Sequence, residues 1–311
     1  MERIFFQRAT SGFRTVQGEL IKRLQLVLRD EGFYQGIIDG IYGNKTELAL
    51  MSFQQNNNLV VSGKVDNLTW TKIFLSAAPN LKDRCLQVTA DFEGTGFSKI
   101  VGNFDGAGLT WGIIGFTLFN RQLQGVLNEI LQNHEAIFHA SFGNLSGQML
   151  QVLKKPLAKQ MEFANMISIG TSQMKVLDEW SDAFAVLGDE PVVQEIQLRH
   201  TGRYFDIALR DVNRLSVTNE LGLALCFDIA VQNGGIDNTE FNRIQSKIAQ
   251  SPPTTPQDLR IIIANVVAEN SKPRFVEDVR KRKLTFATGT GAVHGARYNV
   301  KSWGLDEFPA L

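Results

Sequence analysis

Between two helical stretches, residues 86–92 and 118–131, the chain carries a glycine-rich segment, 94–115, with a β-prone run at 109–114. Glycine in a helix interior costs about 1 kcal/mol relative to Ala, so so glycine-rich a segment does not continue the preceding helix. The order reads as a helix that ends, a turn, a short hairpin and a second helix. Downstream, apolar residues recur at helical spacing over 149–166 and 176–187, punctuated by Pro191, Pro252, Pro253, Pro256 and Pro273. The expectation is a mainly α chain with one small sheet near the start of its larger part. A length of 311 residues, 43% of them apolar, suits one small domain and one larger one.

The small domain is expected over 1–80. Val16, Leu20, Leu24, Leu26, Val27 and Leu28 mark an amphipathic helix that Gly32 ends. A loop with Gly36, Asp39, Gly40 and Gly43 leads to a second helix near 44–56, and a third begins near Asn67 or Leu68. Ala77-Ala78-Pro79-Asn80 reads as a linker. Leu24-Gln25, Gly32-Phe33, Asp39-Gly40, Tyr42-Gly43, Phe53-Gln54 and Thr69-Trp70 together resemble the peptidoglycan-binding family of three-helix modules. The resemblance implies wall contact through Asp39, Tyr42, Phe53, Gln54 and Trp70. The stretch Ser62-Gly63-Lys64-Val65-Asp66 departs from the family pattern.

Hydrolysis of a glycosidic bond generally uses two carboxyl groups, one donating a proton to the leaving oxygen and one activating water or attacking the sugar. Glu93 falls at the end of an apolar helix, where partial burial favours keeping a proton on it. Asp105 falls in a turn before a strand, within reach of water, and the glycines around it allow close approach of a sugar. The run Asp105-Gly106-Ala107-Gly108-Leu109-Thr110-Trp111-Gly112-Ile113-Ile114-Gly115-Phe116, with Glu93 before it, resembles the catalytic region of the family 46 chitosanases in the lysozyme-like superfamily. That resemblance implies a lysozyme-like α+β domain over 81–311, with its small β-hairpin at the active site. It makes Glu93 the general acid, Asp105 the general base and Thr110 the residue that holds the attacking water, and it implies inversion at the anomeric carbon. A looser match at 221–234 implies a buried pairing of Asp228 with Arg280 or Arg282. Two features depart from the family: Ala107 stands where an Arg is common, and Glu93 and Asp105 are only twelve positions apart.

Other residues read more plainly. Asp91 is expected as a solvated helix residue, not the acid. Trp111, Asn120 and Arg121 are candidates for lining the substrate cleft, although core packing is the default for Trp111, Trp180 and Trp303. Residues 280–283 form a basic run expected on a solvated helix face. Thr288-Gly289-Thr290-Gly291 lacks a phosphate-loop pattern and reads as a loop or cleft wall. His294 reads as structural, and Cys85 and Cys226 as two buried free thiols. No metal site and no cofactor are expected, because the four histidines are scattered and no Cys-x-x-Cys or His-Glu-x-x-His occurs.

Lys+Arg and Asp+Glu balance at 32 each, so nucleic acid is not an expected partner. Membrane insertion is not expected either, since the longest apolar stretch, near 221–231, is too short and contains Asp228. The catalytic half points to β-1,4-linked amino sugars, and the module in front of it to peptidoglycan, on which a tether raises local concentration. The expectation is a monomeric, muramidase-type hydrolase of peptidoglycan. A chitosanase and a non-catalytic wall-binding protein are the alternatives. The N-terminus does not read as a signal peptide. The order of binding module then hydrolase resembles phage endolysins, which implies residence in the host bacterial cytoplasm followed by release to the wall.

Overall fold

The structure is a computed structural model that describes residues 3–74, 79–94 and 96–310. By packing, the chain forms two compact units: residues 1–92 with 204–311, and residues 93–203. Ala77 and Ala78 of the expected linker lie outside the described residues.

The first unit opens with β1 (Ile4–Gln7), α1 (Glu19–Asp30), α2 (Asn44–Asn56), β2 (Lys64–Asp66), α3 (Asn67–Phe74) and α4 (Leu81–Glu93). The three expected helices of the module are α1 to α3, and their apolar faces bury Ile21, Leu24, Leu28, Leu50, Phe53 and Trp70. β1 was not legible: it pairs antiparallel with β2, with Ile4 opposite Asp66 and Gln7 opposite Lys64. Two buried glutamines organise the module's loops. The Gln25 amide donates to Asp39 Oδ1 (2.9 Å) and Thr46 Oγ1 (3.0 Å), while its Oε1 accepts from Gly40 N (2.8 Å). Gln54 donates to Lys64 O (2.9 Å) and Thr69 Oγ1 (3.1 Å) and accepts from the backbone of Ser62 and Gly63. A buried amide satisfied this fully fixes loop backbone that has no ladder of its own.

The second unit holds β3 (Ile100–Val101), β4 (Thr110–Trp111), β5 (Phe116–Thr117), α5 (Gln122–Phe142), α6 (Ser146–Leu153), α7 (Leu157–Ile167), β6 (Ser168–Ile169), β7 (Lys175–Val176), α8 (Asp178–Asp189) and α9 (Pro191–His200). The expected hairpin is a three-stranded antiparallel sheet in the order β3-β4-β5. The second helix begins at Gln122, not at 118, because residues 118–121 form a turn and Arg121 adopts φ 60°. The helical run over 149–166 is two helices, since Pro156 has no N–H to continue the first and instead precedes the first residue of the next.

The chain then completes the first unit with α10 (Gly202–Leu215), α11 (Glu220–Asn233), α12 (Asn238–Gln250), α13 (Pro256–Glu269), α14 (Val276–Thr288), β8 (Thr290–Val293) and β9 (Ala296–Asn299). α11 is buried on nearly every side from Glu220 to Ala230. The single small sheet expected from sequence is corrected to four sheets among the described residues: β1-β2, β3-β4-β5, β6-β7 and β8-β9. Pairs of two to four residues leave too little periodic pattern to be read along the chain. The Thr288–Gly291 motif ends α14 and starts β8, with Gly289 in the left-handed region at the helix end.

Candidate active site

Glu93 is the last residue of α4 and is half-buried. The turn that delivers it is fastened at three preceding positions. Thr89 Oγ1 donates to Asp228 Oδ1 (3.3 Å) on α11. The Asp91 carboxylate accepts from Tyr298 Oη (2.6 Å) and Arg14 (3.2 Å) and from the Gln17 amide. His294 Nδ1 lies 3.1 Å from Phe92 O. The expectation that Asp91 is solvated is therefore corrected. Its side chain is 5% exposed, and partners from positions 14, 17 and 298 converge on it. It ties the end of α4 to both ends of the chain.

Asp228 anchors a buried charge cluster. Its carboxylate accepts from Arg282 Nη2 (2.8 Å) and Nε (3.0 Å) on α14 and from Lys283 Nζ (2.6 Å). Burial alone would push the Asp228 carboxyl up, but the two cations and their hydrogen bonds override it and hold it down to about 2. The implied pairing with Arg282 is present, whereas Arg280 is corrected: it is engaged by Glu277 (3.1 Å) and Asn265 (2.7 Å) instead. Residues 280 and 282 are two apart on a helix, so they leave it on different faces. The basic run is thus half buried, because Arg282 and Lys283 face inward.

Asp105 is exposed in a loop before β4. Its Oδ1 accepts from Ala107 N (3.0 Å), an Asx-type turn that fixes the carboxylate while leaving it open to solvent. Asn103, which the sequence did not single out, closes the loop: its Oδ1 accepts from Gly108 N (2.7 Å) and its own N–H donates to Ser168 Oγ (2.9 Å). Gly108 sits at φ +77°, and a Cβ there would lie 2.8 Å from Met161 Sδ, so the tight fold of the loop requires glycine. Thr110 is half-buried on β4, opposite Val101 on one side and Thr117 on the other. The ladder extends toward Asp105 through Leu118 N to Leu109 O (2.9 Å) and Phe119 N to Ala107 O (2.9 Å). Asp105 and Thr110 therefore stand on one rigid hairpin.

Trp111 is corrected as a cleft residue. It is fully buried, its Nε1 donates to Phe184 O (3.2 Å), and its ring packs against Phe184 at 5.3 Å. Alternation along β4 puts Trp111 on the face opposite Thr110. Asn120 and Arg121 are exposed in the turn after β5. In the module, Tyr42, Phe53, Gln54 and Trp70 are likewise corrected, because all four are buried and serve its core and loops rather than its surface. Asp39 is exposed, with Oδ1 accepting from Ile41 N (2.8 Å) and from the Gln25 amide. Trp180 and Trp303 are core residues, and Cys85 and Cys226 are free buried thiols that burial pushes up and so keeps protonated.

Residues 17–73 match the family described as a putative peptidoglycan binding domain, in agreement with the resemblance read from the module's motif. Among solved structures, the chain is similar to a family 46 chitosanase of Gynuella sunshinyii in complex with chitotetraose. The identity there is 14% and the TM-score 0.47, over 69% of this chain and 88% of that one. A chitosanase complex structure gives 17% identity and TM-score 0.45 over 70% and 95% of the two chains. A mutant chitosanase from Bacillus subtilis complexed with 6 GlcN gives 14% and 0.46 over 72% and 98%. A search of the curated proteins returns no match.

Proposed function

We propose that the chain is a cell-wall glycoside hydrolase that binds peptidoglycan and cleaves its β-1,4 bonds in the manner of a muramidase. The observation that carries this reading is the Asp105 hairpin. One carboxylate is held in solvent by its own turn, a threonine follows on the adjoining strand, and a glutamate precedes both at the end of a fastened helix. In this reading Glu93 passes its proton to the glycosidic oxygen as the bond to the anomeric carbon breaks. Asp105 takes a proton from a water that Thr110 orients, and that water's oxygen bonds to the anomeric carbon. Glu93 ends ionised and Asp105 protonated, and solvent resets both.

The match over residues 17–73 supports wall binding by the first 80 residues, with hydrolysis belonging to 81–311. The enzyme is then a monomeric endolysin, made in a host bacterium's cytoplasm and acting once it reaches the wall. Glu93→Gln in the full chain is expected to lower release of soluble fragments from purified peptidoglycan by roughly 100- to 10,000-fold, the range a missing general acid sets. The variant still pellets with the insoluble wall. Mass spectrometry of the wild-type digest names the bond from the reducing-end sugar. Wild-type-like lysis by the variant refutes the mechanism. Products from chitosan but none from peptidoglycan assign the chitosanase alternative, and wall binding without any products assigns the non-catalytic one.

A further inference from the structure

Two phenylalanines leave the Asp105 hairpin with their rings in solvent. Phe104, directly before Asp105, is 49% exposed, and Phe119, whose N–H donates to Ala107 O, is 57% exposed. The same unit puts Phe97, Phe116, Phe138, Phe142, Phe163 and Phe184 in its core. Two exposed methionines stand on the segments that brace this loop. Met174 O accepts from Gly102 N (3.0 Å), and Met166 follows Asn165, whose Oδ1 accepts from the Asn103 amide. Large apolar side chains left exposed on one loop and on the segments bonded to it are candidates for a binding face.

Asp105 apart, the charged side chains on the segments that carry that face are cationic. Residues 99–121 and 168–176 contain a single acidic residue, Asp105, beside Lys99, Arg121 and Lys175. Arg121 and Lys175 are exposed, and neither side chain forms an ion pair among the described residues. Lys99 Nζ reaches Gly94 O (2.6 Å), next to Glu93. On the neighbouring α7, Glu162 is already paired with Lys159 (2.8 Å). A polymer of free-amine sugars brings a cation with every unit, and this rim repels it. An N-acetylated sugar is neutral. It offers the axial C–H face of its ring and an acetyl methyl to aromatic and thioether side chains, and the carboxylates of a wall polymer suit Lys and Arg.

We propose that Phe104 and Phe119 are specificity-determining residues that seat N-acetylated sugar units beside Asp105, with Lys99, Arg121 and Lys175 selecting against free-amine sugars. This rests on the reading of Asp105 as the reacting carboxylate. The test uses the full chain on soluble glycan strands from peptidoglycan, before and after chemical removal of their N-acetyl groups. Wild type is expected to favour the acetylated strands. Phe104→Ala and Phe119→Ala each raise KM on them roughly tenfold with kcat little changed, and Phe→Trp restores it. Equal or better use of de-acetylated strands by wild type, or unchanged KM in both alanine variants, overturns the proposal. If wild type cleaves neither substrate, the hydrolase reading fails, and the face is then judged by binding alone. Titration of N-acetylglucosamine hexamer into Glu93→Gln, with and without Phe104→Ala and Phe119→Ala, is expected to show a tenfold loss of affinity. No loss overturns the proposal on that ground as well.

Discussion

Replacing Asp228 by Asn strips the carboxylate from a cluster whose three side chains are all buried, Arg282 at 1% exposure and Asp228 and Lys283 at 0%. The variant leaves the Arg282 and Lys283 cations facing a neutral amide at position 228 where the native chain has a carboxylate. Breaking a buried pair in this way costs about 3–5 kcal/mol. A domain has about 5–15 kcal/mol of stability in total, so the variant is expected to keep its fold with a narrow margin. With a urea slope of about 2–3 kcal/mol/M, the midpoint falls by about 1–2.5 M, followed by the fluorescence of Trp70 and Trp303 in the same unit. The pH dependence has a definite sign. Asp228 is held at about 2 in the folded chain, below its ordinary value near 3.9, so its contribution is fully present above about pH 4 and fades as pH falls toward 2. The gap between wild type and Asp228→Asn therefore narrows across that window. The triple change Asp228→Leu, Arg282→Met and Lys283→Met, which removes the charges together, recovers most of the loss. A single-variant cost under about 1 kcal/mol, or a gap that stays constant between pH 4 and 2, refutes the reasoning.

Three further outcomes are expected. Thr110→Val keeps the strand but removes the hydroxyl, so kcat on peptidoglycan falls about 10–100-fold with KM little changed; a KM effect alone would mean that Thr110 binds sugar and does not orient water. Gly112→Ala places a Cβ at φ +89° against the Gln197 amide, which accepts from Ile113 N (3.0 Å) and donates to Phe97 O (2.9 Å). The expected loss is about 2 kcal/mol, read as a lower unfolding midpoint, and an unchanged midpoint contradicts the close fit. Burial pushes the Cys85 and Cys226 thiols up and keeps them protonated, so a thiol reagent at neutral pH labels neither in the folded chain and both after unfolding; one fast-reacting thiol in the native protein would contradict their placement.

Much of the candidate site was legible because its signals are local. The end of α4 at Glu93, the turn at Asp105 and the strand at Thr110 follow from helix period, glycine chemistry and β-propensity within one short window. α2 falls over 44–56 as the apolar spacing indicates, although Gly43 is its N-cap and no side chain caps it. A resemblance paired Asp228 with Arg280 or Arg282, of which Arg282 holds, while Lys283 was missed because nothing in a run of four basic residues says which two turn inward.

What stayed hidden depends on partners far away in sequence. Asp91 looks like any acidic residue on a helix until Arg14, Gln17 and Tyr298 reach it. Trp111 and Thr110 are adjacent letters, and only the packing of α8 behind β4 makes one a core ring and leaves the other toward the loop. Gln54 and Tyr42 belong to a wall-binding pattern, yet their burial shows that the pattern records how the module holds its loops. Nothing in the local sequence separates Phe104 and Phe119 from the phenylalanines of the core, and their exposure on the Asp105 hairpin is a property of the fold. The sequence by itself determined the helices, the hairpin and the order of Glu93, Asp105 and Thr110 along them, because those rest on local backbone preference. The tertiary structure decided which side chains face solvent and which carboxylates are fastened, because burial and pairing are set by residues that the chain brings together only when it folds.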